Sequence, residues 1–128
     1  MTNIEIMKEG YANFASGNVP AVLANFDPAI EWNACNGVSF IEGDGIFIGT
    51  EAIVSNIFMN IPLYYEGFNI DIIEMFAADD KVVMVGYYQG TWKPTGHVFN
   101  ANATHVWTLK DGKIIRFFQA VDTAEIMG

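Results

Sequence analysis

Disulfide chemistry is absent from this chain: Cys35 is its only cysteine, so no internal bridge can form. Basic residues are scarce as well, 6 against 15 acidic ones, and the formal net charge is −9. A surface of that sign repels nucleic acid and anionic membranes, so neither is expected as a partner. The two histidines and the cysteine show no ligand spacing, and no metal site is expected. The stretch GDGIFIG has neither the GxGxxG spacing nor the lysine of a nucleotide-binding loop, and no cofactor is expected. No apolar run approaches the ~20 residues of a membrane span. The opening residues MTNIEIMKEG lack the basic region and apolar stretch of a secretory signal, so a cytoplasmic protein is the simplest expectation. No repeat, low-complexity tract or linker divides residues 1–128, which are expected to form one domain.

What the chain does have is apolar bulk. Hydrophobic residues make up 52% of it and aromatics 14%. That is enough for a large core together with a second buried surface or an apolar cavity.

The segments separate cleanly into helix and strand patterns. Ile4, Met7, Tyr11 and Phe14 fall on one helical stripe, with Gly17 as the C-terminal stop. Asn18 caps a short helix over VPAVLANF, with Pro20 in its first turn. Asp27-Pro28 ends it, AIEWNA reads as a strand, and GVSFIEGDGIFIG as an irregular hairpin or loop. Thr50 is the expected cap of a third helix, EAIVSNIFMN, stopped by Pro62. From Asn69 onward the pattern is strands: NIDIIEMFA, KVVMVGYYQGTW, HVFNANATHVWTL and KIIRFFQAV, with turns at Asp79-Asp80, Pro94-Thr95-Gly96 and Asp111-Gly112. Three helices followed by long antiparallel strands predict an α+β fold, a curved sheet wrapped on the helices with a pocket at its mouth.

The last hairpin carries the chemistry. If Asp111-Gly112 is a two-residue turn, Lys110 pairs with Lys113, Thr104 with Gln119 and His105 with Phe118. One face then shows Ala101, Ala103, His105 and Trp107 beside Arg116, Phe118, Ala120 and Asp122. The other shows Asn102, Thr104, Val106 and Thr108 beside Ile115, Phe117, Gln119 and Val121. In this register His105 and Asp122 share a face about 13 Å apart, at ~3.3 Å per residue, and a bulge would shorten or invert that relation. The residue pattern leaves open which face lines a cavity.

Across nearly its full length the chain resembles the SnoaL-like polyketide cyclases and ketosteroid-isomerase-like proteins of the nuclear transport factor 2-like superfamily. The resemblance is carried by YANFASGNVPAVLANF with the following IEW, by GIFIGTEAI, by TGHVF, and by HVWTLKDGKIIRFFQAVDTAEI. It implies a cone-shaped α+β half-barrel, usually a homodimer through its sheet, with a deep apolar pocket. Its members include isomerases, cyclases, dehydratases, epoxide hydrolases and proteins without catalysis. The residues of the steroid isomerases do not carry over: their tyrosine falls at Gly10, their base near Trp32 and their oxyanion aspartate at Thr104. The cyclases imply Asp122 as acid/base and His105 as its partner. A carboxylate in an apolar pocket has the raised pKa that proton abstraction beside a carbonyl requires.

The candidate catalytic residues are therefore Asp122 and His105. Candidates for substrate binding are Trp32, Tyr88, Thr104, Trp107, Phe118 and Gln119. Each has a plainer alternative. Asp122-Thr123-Ala124-Glu125 fits a capping box on a terminal helix, His105 fits a satisfied sheet or interface histidine, Thr104 and Gln119 fit cross-strand partners, and the tryptophans and Tyr88 fit core packing. Two functions are open: an enzyme that moves a proton beside a carbonyl of a small apolar substrate, or a non-catalytic dimer that binds an apolar ligand or a protein partner.

Overall fold

A computed structural model describes all residues, Met1–Gly128. The first helical stripe forms α1 (Asn3–Ala15), and Gly17 follows its end with φ +78°. The Asn18 side chain accepts from the Ala21 amide at 3.3 Å and opens α2 (Val19–Leu23). Strand β1 (Phe26–Asn33) follows, and the glycine-rich span folds back so that β2 (Ile46–Ile48) pairs antiparallel with it.

The third helix departs from expectation. Gly49, not Thr50, is the N-cap of α3 (Thr50–Ile53), and no side chain caps it. The helix continues as a π-helical segment over Val54–Phe58. Pro62 does not stop a helix but sits in the first turn of α4 (Ile61–Tyr64), where its missing N–H costs nothing.

The strands follow the sequence pattern closely: β3 (Tyr65–Ala78), β4 (Lys81–Trp92), β5 (His97–Lys110) and β6 (Lys113–Val121), then the terminal helix α5 (Thr123–Met127). Strand β3 begins four residues before the expected Asn69. The sheet order is β2-β1-β6-β5-β4-β3, antiparallel throughout except for the β1–β6 pair. The fold is the α+β cone expected. Register shifts in β3 and between β5 and β6 curve the sheet around α1 and the α3–α4 region.

Two hydrophobic clusters fill the concave side. One gathers Trp32, Trp107, Phe117 and Ile114 with Met7 and Tyr11 of α1; the other gathers Tyr65, Tyr88, Trp92 and Phe99 with Ile126 of α5. No helix is long and apolar enough to cross a membrane.

Candidate functional site

A single extra residue decides which side chains face inward. Asp111 (φ +51°) and Gly112 (φ +77°) make the expected tight turn, and Lys110 pairs with Lys113 and Leu109 with Ile114. At the next step Thr108 pairs with Arg116, so Ile115 is bulged out and every later partner moves by one. His105 lies opposite Gln119 rather than Phe118, and Thr104 opposite Ala120 rather than Gln119. The inward face thus carries Ala101, Ala103, His105 and Trp107 beside Phe117, Gln119 and Val121.

Three candidates fall outside it. Phe118 is 46% exposed on the convex side, where it pairs with Val106. Thr104 is on that side too, between Val85 and Ala120. Asp122 does not share the face of His105 at all. It is exposed, its carboxylate accepts from the Glu125 amide at 3.1 Å, and it is the N-cap of α5. Only half of the expected capping box forms, because the Glu125 carboxylate accepts instead from the Asn100 amide at 3.1 Å.

The concave side holds a partly open cavity, with about 110 Å³ of accessible space. Trp32, Tyr88, His105, Trp107 and Gln119 line it, and so does Tyr11 of α1, which the helical stripe marked only as core. Its walls hold no Asp, Glu, Lys or Arg. No group of three or more His, Cys, Asp or Glu side chains is placed to hold a metal ion.

Five polar side chains of the cavity wall, Gln119, Tyr88, His105, Tyr11 and Trp107, form one chain of hydrogen bonds. Gln119 Nε2 donates to the Ala34 carbonyl at 2.8 Å, which fixes the amide orientation. Its Oε1 accepts from the Tyr88 hydroxyl at 2.6 Å. That spends the one Tyr88 hydrogen, so Tyr88 must accept from His105 Nε2, with which it makes a short contact. His105 is then the Nε2–H tautomer, and its bare Nδ1 accepts from the Tyr11 hydroxyl at 2.6 Å. Tyr11 in turn accepts from Trp107 Nε1 at 2.7 Å. Each hydrogen is used once, in one direction.

The backbone makes this reach possible. Tyr88 pairs with Ala101, and Met84 with His105. Between them lies the Gly86–Ala103 pair. These small residues clear a lane along which the Tyr88 ring leans to His105, with ring centroids 5.5 Å apart. Gly86 is required for a second reason: a Cβ there would collide with the Asp71 carbonyl of β3.

Electrostatics agree with the bonding. Burial lowers the His105 pKa to about 3, so the ring is neutral. Burial likewise raises the hydroxyls of Tyr88 and Tyr11, the latter partly offset by the Trp107 N–H, so both stay protonated. An added proton on His105 Nδ1 would also confront Tyr11 with two donors and no acceptor nearby in the chain. The assembly is a neutral, acid-resistant relay with a phenol at each end of an imidazole.

Known proteins share this architecture. A nuclear transport factor 2-like protein from Burkholderia thailandensis E264 is 31% identical, with a TM-score of 0.91 over 99% of this chain and 95% of that one. TerC, crystallised with polyporic acid, is 24% identical, with a TM-score of 0.83 over 98% of each chain. IdmH, a polyketide cyclase candidate from Streptomyces antibioticus, is 14% identical, with a TM-score of 0.82 over 99% of this chain and 96% of that one. No curated protein matches the sequence significantly. The SnoaL-like domain profile matches residues 7–117, and the chain belongs to the SnoaL-like family, on the nuclear transport factor 2-like fold.

Proposed function

We propose that this protein is a small-molecule enzyme of the SnoaL-like type. It moves a proton beside a carbonyl of an apolar substrate, and the Tyr11–His105–Tyr88 relay stands where Asp122 was expected. The observation that carries this reading is the neutral His105 with a phenol on each ring nitrogen, all three in the wall of one apolar cavity. The Tyr11 oxygen takes the proton from the substrate carbon as its own hydroxyl proton passes to His105 Nδ1. Return of those protons to a different carbon completes an isomerisation with atoms balanced. A base of so low a pKa takes a proton from carbon only while a hydrogen-bond donor of the same cavity holds the developing enolate oxygen.

Solvent-deuterium incorporation into 2-tetralone, an enolisable bicyclic ketone, followed by NMR, tests the reading. Exchange above the buffer rate is expected, with a loss of about a hundredfold or more in His105→Gln. Exchange at the buffer rate, or an active His105→Gln protein, rejects it.

A second reading, ligand binding without turnover, is favoured by the lack of any carboxylate in the cavity wall. It predicts binding that survives loss of His105. For either function we propose a homodimer through the convex face of the sheet. There Phe76, Val83, Val106 and Phe118 form one continuous apolar row across β3, β4, β5 and β6, and Phe76 and Phe118 are each nearly half exposed.

A further inference from the structure

One fully buried polar atom of the cavity wall is left without a partner. Trp32 lines the cavity and is 5% exposed, yet its indole Nε1–H meets no acceptor in the protein. Trp107, the other tryptophan of the wall, spends its N–H on Tyr11. The rings around Trp32 are all apolar surfaces: Phe117 at 3.9 Å between centroids, Phe26 and Trp107 at 5.7 Å, and Phe58 at 5.8 Å. A buried donor with nothing to bond is costly, and it is one of the few things in a native interior that calls for an explanation. A phenylalanine there would carry no such cost.

Two further facts narrow what would satisfy it. The wall carries no charged side chain, so an anion brought there would lose its water without gaining a counter-ion. The wall is also overwhelmingly aromatic and aliphatic, which suits the flat face of a ring.

We infer that the cavity takes a neutral ring ketone or related carbonyl compound, whose oxygen accepts from Trp32 Nε1–H, and that it rejects the matching carboxylate. The inference rests on the cavity being the ligand site, as in the function proposed above, but not on catalysis. Trp32 then acts as the group that orients the carbonyl, on the strand next to β6 and its Gln119. The β1–β6 pairing sets Trp32 beside Phe117, two residues from Gln119 on the same inward face. Phe117 in turn pairs with Trp107, and the Trp32 and Trp107 rings are 5.7 Å apart, so the indole stands beside the Trp107 end of the relay.

Three naphthalene probes of one shape separate the possibilities: 2-acetylnaphthalene (a neutral acceptor), 2-ethylnaphthalene (no acceptor) and 2-naphthoate (an anion). Binding is titrated by calorimetry with the wild-type protein and with Trp32→Phe. In the wild type the ketone is expected to bind roughly threefold to tenfold tighter than the ethyl compound, the worth of one hydrogen bond, and naphthoate much more weakly than either. In Trp32→Phe the ketone preference disappears while the ethyl compound binds as before. A preference of equal size in both proteins, or none in the wild type, overturns the assignment of Trp32 and leaves the cavity intact as a ligand site. Failure of all three probes to bind the wild type rejects the cavity reading and the inference together. An independent readout needs no variant fold: the Trp32 indole N–H resonance should move downfield with the ketone and not with the ethyl compound, and an unmoved resonance counts against the proposal.

Discussion

His105 should make the protein sensitive to acid, by an amount that follows from its burial. Its pKa is held at about 3 in the folded chain, against about 6.5 when unfolded. The folded value is the lower, so between the two the unfolded chain binds a proton that the folded chain refuses. Stability is therefore complete above pH 6.5 and falls as the pH drops, by about 1.4 kcal/mol per unit, until about pH 3. The loss from this one group is about 2 kcal/mol at pH 5 and about 5 kcal/mol once the window is crossed. The difference between two proteins that share every other titratable group isolates the histidine. Glutamine at position 105 offers one donor and one acceptor to the two phenols and does not titrate. Urea unfolding of wild type and His105→Gln, at about pH 7.5 and pH 5, should show the variant gaining about 2 kcal/mol relative to the wild type on acidification. Parallel loss in the two proteins would mean that His105 is not held neutral, and the hydrogen directions assigned through the relay would fall with it.

Other outcomes follow from particular side chains. Asp122→Ala removes the α5 cap and should cost about 1 kcal/mol in urea unfolding, while leaving probe binding in the cavity unchanged; lost binding with full stability would put the carboxylate back at the site. Tyr88→Phe strands the His105 Nε2–H and the Gln119 carbonyl, and should destabilise by about 3 kcal/mol in the same assay. Phe118→Lys places a charge in the convex apolar row. Sedimentation should show the wild type as a dimer and this variant as a monomer with cavity binding retained; a wild-type monomer would refute the sheet interface.

Much of the fold was legible because its signals are local. Strands β4 and β6 have the bounds the alternation predicts, and Asp111-Gly112 adopts the left-handed pair of conformations that such a turn needs. The sheet's curvature is not local. The Ile115 bulge answers to how the whole sheet wraps on α1, and no residue near it announces the extra step. That one step inverted the face assignments of Phe118, Gln119 and Asp122. The Pro62 stop failed because a proline is equally at home in a first turn. Tyr11 was recognised as buried but not as functional, although the signal was available: a tyrosine on a stripe of Ile, Met and Phe must find a partner for its hydroxyl somewhere in the interior.

The bulged Ile115 also says something about how such a pocket changes over generations. Strand β6 offers two linings, one neutral (Phe117, Gln119, Val121) and one bearing a cation (Arg116, Phe118) that Asp122 would continue just past the strand's end, and parity chooses between them. Loss or gain of a single codon upstream of Arg116 would turn the strand over and exchange the two sets at once. Point substitutions would have to rebuild that lining residue by residue. In this architecture insertions and deletions are the short route between a charged cavity and an uncharged one, and lineages that share the fold are expected to differ there first.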